Sequence, residues 1–178
     1  MYAKSLENSN IVNNNHEAVQ LGIAELVLKQ WALDTIFSAD LKNAHNTGAI
    51  HLHDLGYPHR VYCSSHSVEY VKKYGLRGLN NLNNDSSPAH SAHVLTGHLN
   101  TFLSSIQANY AGALGLAYIN IMFAPYLRGK SAKEIRQVAQ GLIFGAAQNA
   151  FSRGGQTIFL DFNIHSGVPS YLKTVPAV

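Results

Sequence analysis

Apolar residues recur at helical spacing through Val19, Ile23, Leu26, Val27, Leu33 and Ile36, which predicts an amphipathic helix over residues 16–37. Residues 1–15 before it are polar and Asn-rich and read as an irregular lead-in. Ser38 is a good cap for a second, shorter helix, which Gly48 closes. The alternation Ile50-His51-Leu52-His53 predicts a short strand, and Gly56 and Pro58 break the chain soon after it. Residues 66–74 have helical character that Gly75 stops, and GLNNLNNDSSP, 78–88, is loop chemistry throughout. From about His90 to Phe123 the pattern is mainly helical, broken near its glycines. Ser131 and Glu134 make a capping box that opens a helix running to about Phe151. SRGGQ is then a turn, and TIFLDFNI, 157–164, alternates as a strand does.

Helices, one short strand, more helices and one further strand make an α/β chain. Two strands do not make a stable sheet alone, so the chain is expected to be a piece of something larger or to need a partner that completes its sheet. Its 178 residues suit a single domain. The net charge of +3 comes from scattered basic residues with no stripe, which argues against nucleic acid as a partner. One cysteine makes neither an internal disulfide nor a multi-cysteine zinc site, and a reducing, cytoplasmic setting is the expectation. No apolar run at the start suits a signal peptide. The longest apolar stretch, 110–127, is interrupted by Gly112, Gly115, Asn120 and Pro125 and is expected to be a buried core helix, not a membrane span.

Candidate chemistry concentrates in IHLHDLGYPHRVYCSSH, 50–66, which holds four histidines, one aspartate and the lone Cys63. On a strand, His51 and His53 would face one side within reach of one metal ion, the start of a barrel-type hydrolase that needs further ligands such as His165. On a helix, Cys63 and His66 would share a face as nucleophile and base, although no orienting third residue is visible. A buried cysteine acting as a small hydrophobe is the bland alternative. A third reading uses the sulfur as a redox or hydrogen-donating group beside a bound substrate. Spacing does not choose among these.

Five landmarks, in order, resemble the class III anaerobic ribonucleoside-triphosphate reductases, which are glycyl radical enzymes. They are ENSN at 7–10, AHNTGAIHLHDLGY at 44–57, YCSSHSVEYVKKYGL at 62–76, the run ANYAGALGLAYINIMFAPYLRGKSAKEI, and SRGGQTIFLDFNI with an end near VPAV. The resemblance implies that residues 1–178 are a helix-rich N-terminal segment of a ten-stranded α/β barrel. In that family a glycyl radical oxidises a finger-loop cysteine to a thiyl, which takes the ribose 3′ hydrogen. A second cysteine on the opposite face assists reduction at C2′, and Cys63 matches it.

The resemblance further implies that His53 is catalytic beside Cys63. His51, Tyr62, Ser64, Gly154 and Gly155 would lie against the substrate, with no metal held. Asp54 is expected to be a structural acceptor that holds the turn after it. Tyr62 stands where some members have Asn. No ATP-cone, finger-loop cysteine, glycyl radical loop or four-cysteine zinc site matches this sequence, so the segment alone is expected to be inactive. The complete enzyme would use a glycyl radical installed by an S-adenosylmethionine/iron-sulfur activase, structural zinc, and ATP or deoxynucleotide effectors. Its implied partners are a ribonucleoside triphosphate, the C-terminal reductase portion, the activase and a second copy. The helices near 90–123 and 132–151 would pack outside the barrel and help build the dimer interface. The rival readings are the metal hydrolase and a non-catalytic remnant that only dimerises or binds nucleotide.

Overall fold

The computed structural model describes residues 16–150 and 156–167; the ENSN segment, Gly154, Gly155 and the VPAV end lie outside that range. The chain divides into two units, residues 1–61 with 151–156, and residues 62–150 with 157–178.

In the first unit, α1 (His16–Thr35) and α2 (Ala39–Asn46) form where the sequence predicts helices. The Ser38 side chain accepts the Leu41 N–H, and Gly48, at φ +79°, lies just past the end of α2. Of the predicted inner stripe of α1, Leu33 is buried and Val19 half-buried, but the rest is not. Ile23, Leu26, Val27 and Ile36 are exposed, whereas Ala18, Gly22, Glu25, Ala32 and Leu33 are buried. Apolar residues surround this helix, so periodicity alone does not choose a face. The side with small residues is the one that allows close approach. Leu33 and Ala32 pack with Leu55, Phe37 and Leu52. The Arg60 guanidinium lies 5.0 Å from the centre of the Tyr57 ring. Burial pulls the Arg60 pKa down, and the nearby Glu25 charge opposes that shift.

The strand expected at 50–53 does not form. A strand needs a neighbour to engage its backbone, but here the end of α2 takes those groups. Ala49 and Ile50 donate to the Ala44 carbonyl at 2.9 and 3.2 Å, and Leu52 N–H donates to His45 Nδ1 at 3.2 Å. The chain then turns at 53–56, with Asp54 in the left-handed region at φ +51°. Its carbonyl, not its carboxylate, accepts the Tyr57 N–H at 2.9 Å and closes the turn.

The second unit is built on three short parallel strands in the order β1-β2-β3. These are β1 (Ser64–Ser67), β2 (Leu114–Ala117) and β3 (Leu160–Phe162). In register, Ser65 lies beside Gly115 and Gly115 beside Asp161. The helices α3 (Glu69–Tyr74) and α4 (Ala92–Gln107) connect β1 to β2, and α5 (Ile119–Leu127) and α6 (Ala132–Gln148) connect β2 to β3. Contrary to expectation, His66 lies on a strand and not in a helix, and the run 110–127 contains β2 and then α5 in place of one core helix. Among the described residues, no helix is long and apolar enough to cross a membrane.

In LGLA the two leucines face the core and the other face carries only Gly115 and Ala117, so no polar alternation marks it as a strand. Leu114 and Leu116 are fully buried with Leu95, Leu99 and Leu103 of α4. Each such leucine contributes roughly 1.5–3 kcal/mol by leaving water. That core, completed by Val68, Val71, Met122, Phe123, Val138 and Leu142, covers one face of the sheet.

The capping box predicted at the start of α6 is present. Ser131 Oγ accepts the Glu134 N–H at 3.3 Å, and Glu134 Oε2 accepts the Ser131 N–H at 2.8 Å. These bonds, with Lys130 nearby, hold the Glu134 carboxyl down at about 2. A depressed carboxylate stabilises the fold above its unfolded value of 4.5 and loses that contribution as pH falls toward 2. Glu134→Gln is therefore expected to flatten the acid limb of a pH-dependent unfolding series over that window. An acid limb identical to that of the parent would refute this role.

Candidate functional site

Cys63 stands immediately before β1, and its thiol is exposed. Its position is set by the start of the β1–β2 ladder. Gly112 N–H donates to the Tyr62 carbonyl at 2.6 Å, Ser64 N–H donates to the Ala113 carbonyl at 3.2 Å, and Ala113 N–H donates to Cys63 Sγ at 3.2 Å. The sulfur lies directly on Gly112, where an added Cβ would be 2.6 Å from Sγ and 2.9 Å from the Tyr62 carbonyl oxygen. Gln107, the last residue of α4 and fully buried, donates through Nε2 to the Gly112 carbonyl at 3.1 Å. The end of α4, the glycine and the sulfur are thus one mechanical unit.

Gly112→Ala forces the strand and the sulfur apart, which is expected to cost roughly 2–3 kcal/mol of stability. It should also change the alkylation rate of Cys63 severalfold. An unchanged rate together with an unchanged denaturation midpoint would refute the close packing.

Strand alternation divides the neighbours of Cys63 into two sets. Ser64 and His66 point toward the helices, and Ser64 Oγ and His66 Nε2 share a hydrogen bond at 2.6 Å. The His66 ring meets Phe102 and Tyr110 edge-on at 5.5 and 5.8 Å, and burial lowers its pKa, which keeps it neutral. Cys63 and His66 are therefore not a helical nucleophile–base pair, since residues three apart on an extended chain face opposite ways. Ser65 and Ser67, with Gly115 beside Ser65 and Asp161 beyond Gly115 in register, make the other face small and polar.

His51 and His53 belong to the first unit and are exposed. The turn brings His51 Nε2 within 3.3 Å of His53 Nδ1, although the predicted strand is absent. The His45 ring lies 5.8 Å from that of His51, and His53 Nε2 is 3.5 Å from the Asp54 carboxylate. Among the described residues, no group of three histidine, cysteine, aspartate or glutamate side chains is arranged to hold a metal ion. His165, the further ligand a hydrolase would need, accepts Gly167 N–H at Nδ1 and packs edge-on to Tyr118. Tyr62 is exposed, and Gly154 and Gly155 lie outside the described residues.

Sequence reasoning missed Gln107, Gly112, Ser65 and Asn163. The Gly112/Gly115 spacing was a signal for close strand approach, but the helical reading of that stretch hid it.

Residues 7–176 match the family model for anaerobic ribonucleoside-triphosphate reductase. No curated protein sequence matches the chain. Among solved structures, the chain is similar to the anaerobic ribonucleotide reductase of Thermotoga maritima in complex with dATP and CTP, with a TM-score of 0.66 and 20% identity. That alignment covers 82% of this chain and 27% of the other. The same enzyme with citrate in its active site aligns with a TM-score of 0.63 at 18% identity, over 82% of this chain and 28% of that one. A further structure described as anaerobic ribonucleotide reductase gives a TM-score of 0.64 at 19% identity, over 85% and 28%. The chain therefore spans little more than a quarter of the length of these structures.

Proposed function

Because the chain belongs to the anaerobic ribonucleoside-triphosphate reductase family, we propose that it forms part of the catalytic barrel of such an oxidoreductase, with Cys63 as the thiol facing the nucleotide sugar. The observation that carries this reading is the exposed sulfur on a small, polar sheet face, oriented by the Ala113 N–H at 3.2 Å. In the proposed reaction the C2′–O bond breaks as the hydroxyl takes a proton and leaves as water, the thiol then gives a hydrogen atom to C2′, and the sulfur radical left behind is reduced back to the thiol. The two electrons come finally from an external reductant, formate or a dithiol. A glycyl radical carried elsewhere in the polypeptide, when present, supplies the one-electron oxidation that opens the reaction.

The chain's own residues position and protonate. Gln107 and Gly112 fix the sulfur and the exposed Tyr62 adjoins it, while Ser64, expected against the substrate, turns to the helix side and bonds His66. In the first unit, the paired imidazoles of His53 and His51 are the groups suited to give a proton and to contact a sugar, respectively. Structural zinc finds no fit among the described residues, so no step runs through it. On this reading the remaining barrel polypeptide, the activase and a second copy are the partners, and a deoxynucleotide effector selects the substrate. The test is anaerobic turnover by the full-length protein with its activating system. Conversion of a ribonucleoside triphosphate to the deoxy product is expected, and its absence in a radical-loaded preparation overturns the reading.

A further inference from the structure

Ser65 and Asn163 meet across the middle strand of the sheet, 98 positions apart in sequence. Neighbouring strands lie about 4.8 Å apart, so β1 and β3 are separated by roughly 10 Å. Asp161 is the residue level with Gly115, and Asn163 lies two positions beyond it, so the Ser65 side chain crosses the middle strand on a diagonal. Gly115 leaves room for this: a Cβ there would lie 3.2 Å from Ser65 Oγ and 3.3 Å from Ser65 Cβ. The Ser65 hydroxyl leans over the glycine and donates to Asn163 Oδ1 at 3.1 Å. The backbone of Asn163 is pinned on both sides. Its N–H donates to the Leu116 carbonyl at 2.9 Å, and its carbonyl accepts the Ile119 N–H at 3.1 Å.

Asn163 is exposed, its Oδ1 is occupied, and among the described residues none accepts a hydrogen bond from its amide nitrogen. Ser65 Oγ keeps lone pairs free to accept. A donor therefore stands beside an acceptor, both pre-oriented, on the sheet face that also carries Cys63. Cys63 and Ser65 are two positions apart along an extended chain, roughly 7 Å. A hydroxyl is the one common group that accepts and donates at a single atom. An exposed bond between two neutral side chains does little for folding, so stability gives no strong reason for this bridge. Pre-orientation is what a ligand gains from it.

We propose that the Ser65–Asn163 pair reads a ribose hydroxyl of the nucleotide that Cys63 serves, and so selects ribonucleotide over deoxynucleotide. This rests on the assignment of Cys63 to the sugar. The hydroxyl accepts from the Asn163 amide and donates to Ser65 Oγ. A deoxy analogue leaves both groups unpaired.

The experiment measures protection of Cys63 from iodoacetamide in the full-length protein, which reads occupancy beside the thiol without turnover. CTP is expected to protect, and its 2′-deoxy or 3′-deoxy counterpart to protect about tenfold less well. Ser65→Ala and Asn163→Ala, on different strands, should each raise the half-protecting CTP concentration about tenfold and remove the preference for CTP. Circular dichroism and the alkylation rate without nucleotide verify that each variant is folded. Protection by CTP with an intact preference in both variants overturns the proposal and leaves the role of Cys63 standing. No protection by any nucleotide overturns both.

Discussion

On the proposed reading, Cys63→Ser is expected to reduce anaerobic conversion of a ribonucleoside triphosphate to its deoxy product by at least about a thousandfold, a barrier increase of roughly 4 kcal/mol. A serine hydroxyl holds its hydrogen too tightly to give it up as an atom and does not reach the sulfur's oxidised states. The fold should hardly register the change. The residue is exposed, and serine is smaller than cysteine, so the contact with Gly112 is loosened and not crowded, at a cost of about 1 kcal/mol or less. The serine hydroxyl also remains able to accept the Ala113 N–H that now points at the sulfur. Denaturation midpoints of the two proteins should therefore coincide while turnover separates them. Equal turnover would remove Cys63 from the chemistry, and a collapsed midpoint would make its role structural.

Gly75→Ala is expected to destabilise the second unit by about 3 kcal/mol or more. Gly75 ends α3 at φ 69° and ψ −136°, a combination that L residues rarely adopt. The conformation is held from both sides. Its N–H donates to the Val71 carbonyl at 2.9 Å, and the next residue, Leu76, donates to the Ser86 carbonyl at 3.0 Å. An added Cβ would lie 2.0 Å from that same Ser86 oxygen and 2.7 Å from the Ser87 carbonyl carbon. Both obstacles are backbone, so no side-chain rotation relieves the clash. The return of the 79–91 loop onto α3 would have to open.

Gly129 supplies the control. It also has positive φ, at 74°, but a Cβ there meets nothing within 4 Å, so Gly129→Ala should cost only about 1 kcal/mol. Urea denaturation of the two variants measures the difference. Equal midpoints would refute the account of Gly75.

The parts of this chain that are legible in sequence are those whose signals are local. Ser38, Ser131 with Glu134, Gly48 and Gly75 act through neighbours three or four residues away, and the ends of α2, α3 and α6 track them closely. The loop at 78–88 and a strand within 157–164 are readable for the same reason, although β3 covers only Leu160–Phe162. Cys63 stands out because it is the only cysteine, and the order of motifs around it points to the family.

Tertiary structure decided everything that depends on which surface a residue meets. Ile50–His53 alternates like a strand, but the end of α2 engages its backbone. LGLA reads as helix because its outer positions are Gly115 and Ala117, which give no polar alternation to mark it as β. The buried side of α1 depends on where small residues allow approach, which a helix apolar all round does not disclose. Gln107 and Gly112 beneath the sulfur, and Ser65 with Asn163 above Gly115, come together only when three strands align. Sequence by itself determined the helix caps, the α/β class and the family, because those signals are carried within a few residues or by motif order. The register of a parallel sheet joins residues 50 to 98 positions apart, and only folding brings their side chains within hydrogen-bond reach.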